Sequence, residues 1–242
     1  CLRHARANGA TRFVFLGDLV GYGADPEAVI EAVSRQAQSD GVVIKGNHDE
    51  AIEGSSTYMN DMAAEAIAWT RGTLSAKGRA YLSGLPLCVT EGEKCFVHAS
   101  AANPARWEYV DSPAAAAKSM AAANATYTFS GHVHEQMLYF QLPGGKVSPF
   151  RPLPGSPVPV PAHRKWLAIV GSVGQPRDRF AVDVGVGNRR AAGVDVAHAA
   201  VLGEALLGIA ALGAATSSTA PALGLDAHHQ YGRQRSECRR GD

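Results

Sequence analysis

"VVIKGNHDEA" (residues 42–51) sets Val42, Val43 and Ile44 just before Asn47, His48 and Asp49. A run of β-branched residues stopped by a glycine reads as a short buried strand. The three polar side chains at its end are costly to bury without partners. Gly-Asn-His-Asp is also good turn chemistry, so this stretch alone suits either a strand-ending turn or a site. The sequence on either side decides between them.

Upstream, "TRFVFLGD" (11–18) is a second apolar run, ending at Gly17-Asp18. Asp25, Pro26 and Glu27 follow as a helix cap, a first-turn proline and a first-turn acid, which predicts a helix to about Gln38. Strand, helix and strand in that order form a β-α-β unit with parallel pairing. Downstream, residues 61–83 read as two helices, and "PLCVTEGEKCFVH" (86–98) as two strands around a tight turn. Ser112 and Pro113 open an Ala-rich helix to Asn124. Further strands are predicted at 126–131, 136–140 and 165–171. The proline-rich segment 148–161 between the last two is expected to be an extended surface loop, because proline cannot donate to a ladder.

With 242 residues, 46% of them hydrophobic, the chain is long enough for one large domain or a domain with an appendage. Four scattered cysteines do not make a disulfide framework or a paired zinc motif. Cys88 and Cys95 flank the predicted hairpin and are expected to be two buried thiols, and a reducing, cytoplasmic location is expected. With a net charge of +1, nothing points to a polyanion-binding surface. Neither a nucleic acid nor a membrane is therefore expected as a partner. The composition shifts near residue 180: the last lysine is Lys165, and 181–242 is rich in alanine, glycine and arginine. Residues 1–180 are expected to form the domain, and 181–242 a poorly ordered tail. Within the tail, Val196–Ala215 is apolar enough to raise a membrane span, but Glu204 and the many small residues favour a weak amphipathic helix carrying Leu202, Leu206 and Ile209.

Four of the predicted strands are followed by a residue able to bind metal. Asp18 follows FVFL, Asn47 and His48 follow VVIK, His98 ends KCFV, and His132 and His134 follow YTFS. Ligands collect at the carboxyl ends of parallel strands. Each residue also has a plainer role, Asp18 as a turn residue and His98 as a core histidine. Arriving together, they form a mixed oxygen and imidazole inventory suited to Mn, Fe, Ni or Zn. Two histidines two residues apart fit neighbouring ions better than one tetrahedral zinc.

Taken as a set, "GDLVGYG" (17–23), "GNHDE" (46–50), "VHAS" (97–100) and "GHVH" (131–134) resemble the motifs of the calcineurin-like metallophosphoesterases. "GSVGQPRD" (171–178) resembles the loop that closes the domain in their bacterial branch. The resemblance implies an α/β fold, a two-sheet β-sandwich flanked by helices, with a dinuclear centre at the sheet edge. It implies that Asp18 bridges two divalent metal ions, that Asn47, His98 and His132 complete one site, and that His134 serves the other. His48 would protonate the leaving group, with Asp49 orienting its imidazole. The implied activity is hydrolysis of a phosphate mono- or diester by a metal-activated hydroxide. Segments 51–60 and 141–163 would shape the substrate site.

One departure stands out. The family pattern has an Asp-x-His strand beside Phe13–Leu16, and no such pair precedes Asp18 here. "CLRHARANGA" (1–10) reads instead as the end of the following helix, stopping at Gly9. The expectation is a domain truncated upstream, with one metal site nearly whole and the other holding only Asp18 and His134. The alternative that follows is a catalytically impaired domain that binds metal or phosphate and acts through contacts.

Overall fold

The computed structural model describes residues 1–7, 9–38, 40–54, 61–153, 158–177 and 199–201. The chain starts with helix α1 (Leu2–Ala7), strand β1 (Phe13–Phe15), helix α2 (Pro26–Ala37) and strand β2 (Val42–Val43). Gly9 ends α1 with a positive φ of 89°, and the Gly9 N–H donates to the Arg6 carbonyl. Asp25 does precede α2, but its side chain makes no capping bond there. Three helices follow: α3 (Asn47–Ala51), α4 (Asp61–Thr73) and α5 (Ala76–Ser83). The rest comprises β3 (Cys88–Glu91), β4 (Lys94–Val97), α6 (Pro113–Ala123), β5 (Tyr127–Ser130), β6 (Gln136–Gln141), β7 (Val147–Phe150), β8 (Trp166–Val170) and β9 (Ala199–Val201).

These strands form two sheets, one in the order β2-β1-β9 and one in the order β3-β4-β5-β8-β6-β7. β1 and β2 run parallel, as do β4, β5 and β8. Every residue of β1 is buried, because its two faces serve two different cores. Val14, Leu16, Val42 and Ile44 face the second sheet and pack on Phe96, Phe129 and Leu138. Phe13, Phe15 and Val43 face outward and are covered by α1, α2 and α5 through Ala5, Val29, Val33 and Leu82. On the far side of the second sheet, Leu167 and Ile169 pack under Ala116 and Met120 of α6. The architecture is thus helices, sheet, sheet, helix, the flanked sandwich expected from the sequence.

Ser112 caps α6 by accepting a hydrogen bond from the Ala115 N–H at 3.3 Å. Ser112→Ala is expected to cost about 1 kcal/mol of stability, visible as a lower denaturation midpoint with an unchanged slope.

Three sequence expectations are corrected. The segment 148–161 is not all surface loop: Pro149 lies in β7, an edge strand, where its missing donor harms no ladder. Val160 is only 1% exposed and fills the space between the sheets. Second, Ala199–Val201, inside the stretch read as a helix, forms β9, antiparallel to β1. It takes the place beside β1 that the sequence reading leaves to an upstream strand. The remainder of 181–242, including Leu202, Leu206 and Ile209, lies outside the described residues. Third, Cys95 is buried but Cys88 is only half-buried, with the two sulfurs 3.5 Å apart across the β3–β4 hairpin. Among the described residues, no helix is long and apolar enough to cross a membrane.

Candidate metal centre

The site lies where β1, β2, β4 and β5 end, and glycines let those ends meet. Gly17 has a φ of 88°, and a Cβ on it would lie 2.5 Å from the Gly46 nitrogen. A Cβ on Gly46 would lie 2.2 Å from both the nitrogen and Oδ1 of Asp18. The turn after β1 and the turn after β2 are therefore in backbone contact, which only glycine permits. Asp18 and His132 themselves hold positive φ angles of 53° and 62°. A non-glycine residue there costs about 1–3 kcal/mol, and such strain gathers at functional sites.

Four side-chain atoms converge. His98 Nε2 lies 3.0 Å from Asn47 Oδ1, 3.1 Å from His132 Nδ1 and 3.5 Å from Asp18 Oδ1. Ligand atoms of Asp18, His98 and His132 all fall within 4.8 Å of one another, and all three residues are buried. The other ring nitrogen of His98 is 2.6 Å from the Leu16 carbonyl. A carbonyl can only accept, so His98 Nδ1 carries the proton and, in the neutral ring, Nε2 presents a lone pair. That lone pair faces two oxygen acceptors and a second imidazole. A cluster of acceptors this tight calls for a cation, and the donor set suits a divalent metal.

His134 uses the same device. Its Nδ1 donates to the Gln175 carbonyl at 2.7 Å, which leaves Nε2 as the candidate ligand atom of the neutral ring. It is not part of the tight cluster with Asp18, His98 and His132. Its ring meets Tyr22 edge-on, with centroids 5.7 Å apart. Burial pulls the pKa of His134 down. Burial, and next to it the charge of His98, pulls His132 down to about 3. Both rings are thus neutral near pH 7, the form that binds metal. His132 Nε2 and His48 Nδ1 are buried with no hydrogen-bond partner. Tyr109 stacks on the His132 ring at 4.0 Å between centroids.

His48 is the second residue of the short helix α3. Its N–H donates to Asp18 Oδ1 at 3.0 Å, so the α3 N-terminus faces the carboxylate. Asp49 does not orient the His48 imidazole as the family pattern implies. Its Oδ1 accepts from the N–H groups of Leu19 and Val20, and its Oδ2 from that of Gly46. The carboxylate is used as a clamp between the turn after β1 and the start of α3. Burial, with Asp18 next, pushes the Asp49 pKa up, against the pull of those three donors. The group on the His48 ring is Tyr22, whose hydroxyl is 3.0 Å from Nε2 and 3.4 Å from Asp18 Oδ2. The two rings also stack at 4.3 Å. Burial, chiefly, raises the Tyr22 pKa, so the phenol keeps its proton.

Over the cluster opens a cavity of about 580 Å³. Its floor includes Tyr22, His48, His132 and His134, one wall is Met62, Ala63 and Ala66 of α4, and Gln175 and Arg177 form another. These walls, rather than 141–163, border the site in the described residues. Of the sequence-predicted residues, the structure brings together Asp18, Asn47, His98 and His132, sets His48 and His134 on the same cavity, and uses Asp49 behind it. Tyr22, Tyr109 and Arg177 were not singled out by sequence reading. Tyr22 and Arg177 at least sit inside quoted motifs, whereas nothing local marks Tyr109.

A family model described as calcineurin-like phosphoesterase matches residues 1–136. The chain is 31% identical over 193 residues to an uncharacterised protein of Methanocaldococcus jannaschii, covering 73% of this chain and 70% of that one. Among solved structures it is similar to a metallophosphoesterase from Sphaerobacter thermophilus, with 34% identity and a TM-score of 0.56 over 67% of this chain. It spans 66% of that protein's chain. A hypothetical protein from Pyrococcus horikoshii is 18% identical, with a TM-score of 0.50 over 75% of this chain and 82% of its own, and shares the fold.

Proposed function

Because the chain belongs to the calcineurin-like phosphoesterase family, we propose that it hydrolyses a phosphate ester in the cavity above Asp18, with divalent ions held by the surrounding ligands. The observation that carries this reading is the convergence of His98 Nε2 with Asn47 Oδ1, His132 Nδ1 and Asp18 Oδ1, while His98 Nδ1 is held by the Leu16 carbonyl. Asn47, His98, His132 and Asp18 would hold one ion. His134, with Asp18 as the shared carboxylate, would serve a second. Bound there, divalent ions lower the pKa of water and neutralise the phosphoryl oxygens.

The protein's own residues supply position and protons. Asp49 ties the Asp18 turn to the α3 N-terminus, so that Asp18, Asn47 and His48 move as one unit. His48 holds the proton for the leaving oxygen, and Tyr22 fixes its ring by stacking and by the bond to Nε2. Burial, first of all, lowers the His48 pKa in the free protein, and a phosphate beside the ring acts in the opposite direction. A proton is therefore held best when substrate is present. General-acid help of this kind is worth about 10²–10⁴-fold.

The test is release of p-nitrophenol from aryl phosphate mono- and diesters by the full chain with added manganese. His48→Ala should lower turnover by about 100-fold or more while leaving the metal content unchanged. Loss of metal in His48→Ala would contradict its role as a proton carrier. Bound metal without any ester hydrolysis by the unmodified chain would favour a binding domain instead.

A further inference from the structure

Arg177 reaches the cavity on a loop that is fastened to a candidate ligand at two points. The His134 ring donates to the Gln175 carbonyl, and the Arg177 N–H donates back to the His134 carbonyl at 3.0 Å. Ser172 steadies the turn by accepting from the Gln175 N–H at 3.0 Å. This clasp puts Arg177 on the cavity wall beside Tyr22, His48 and His134. Its charge is felt by all three, acting to lower each pKa. Among the described residues lining the cavity, Arg177 is the one permanent cation, and no acidic side chain lines the same walls. One of its donors meets Gln175 Oε1 at 3.2 Å. A guanidinium carries five donors in a planar fork, which leaves enough to bind two phosphoryl oxygens at once.

We propose that Arg177 is a substrate-binding residue that grips the non-ester oxygens of a terminal phosphate, so that the site favours dianionic monoesters over monoanionic diesters. The proposal rests on the phosphoesterase reading for the word substrate, while the phosphate grip itself stands on the cavity. A monoester offers three non-ester oxygens, enough for the metal ligand set and for a bidentate guanidinium together. A diester has only two such oxygens and half the charge, so the fork loses both geometry and attraction.

Two measurements on the manganese-loaded full chain test it. In calorimetric titration with inorganic phosphate, Arg177→Ala should bind about 10- to 100-fold more weakly than the unmodified chain. Arg177→Lys should fall between them, because it keeps charge and loses the fork. Added guanidinium should restore part of the affinity of Arg177→Ala, which a purely structural role would not allow. In turnover, Arg177→Ala should raise KM for p-nitrophenyl phosphate by a similar factor and shift bis-p-nitrophenyl phosphate by less than about threefold. Equal phosphate affinity in the unmodified chain and Arg177→Ala would overturn the proposal, as would a loss that guanidinium does not rescue. Turnover that is insensitive to Arg177→Ala overturns it too, yet leaves the phosphoesterase reading intact. Rescued phosphate binding in a chain that hydrolyses neither ester supports it and sinks that reading instead.

Discussion

Asp18→Asn is expected to weaken divalent-ion binding by about 100-fold or more, on the order of 3 kcal/mol. The change is nearly isosteric, so the turn after β1 should survive, with the His48 N–H still donating to the remaining oxygen. What is lost is the one negative charge that faces His98 Nε2 and the Tyr22 hydroxyl. A cation drawn into a buried cluster depends on that charge far more than on any neutral donor. Manganese titration followed by calorimetry reads the effect directly. Undiminished affinity in Asp18→Asn would mean that the ion sits elsewhere.

Gly46→Ala should have the largest effect on the fold around the site. The φ of Gly46 is −101°, so its backbone alone would accept alanine. The obstacle is space, since the new Cβ would lie 2.2 Å from Asp18 nitrogen and Oδ1. Those atoms belong to a turn that Asp49 holds by its backbone, and they cannot move without breaking the clamp. The expected cost is about 3 kcal/mol. For a domain of this size that is a fall in melting temperature of roughly 6–12 °C, together with loss of metal binding. A melting temperature within a degree or two of the unmodified protein would show that the two turns are not in fixed contact.

The elements that sequence reading located well are those whose signals are local. The capped helix after Ser112, the hairpin around Gly92 and the β-α-β unit from Phe13 to Val43 each carry their own period and punctuation. The candidate ligand cluster was legible for a related reason: each member sits one to four residues past an apolar run, and parallel strands bring such ends together. What escaped depends on partners distant in the chain. Nothing in "AAV" at 199–201 marks a strand, and it becomes one only beside Phe13–Phe15. Val160 is buried because a sheet pair leaves room for it, although prolines flank it on both sides. The task expected of Asp49 falls to Tyr22 for the same cause. The carboxylate turns toward the amides of Leu19, Val20 and Gly46, and the phenol, four residues past Asp18, takes its place on His48.

The most direct test of the centre is a crystal of the full chain soaked in manganese and measured for anomalous scattering. The account predicts a peak within bonding distance of Asp18 Oδ1, Asn47 Oδ1, His98 Nε2 and His132 Nδ1, absent from an Asp18→Asn crystal treated in the same way. A well-ordered cluster with no peak among those four atoms, or a peak that persists in Asp18→Asn, would contradict it.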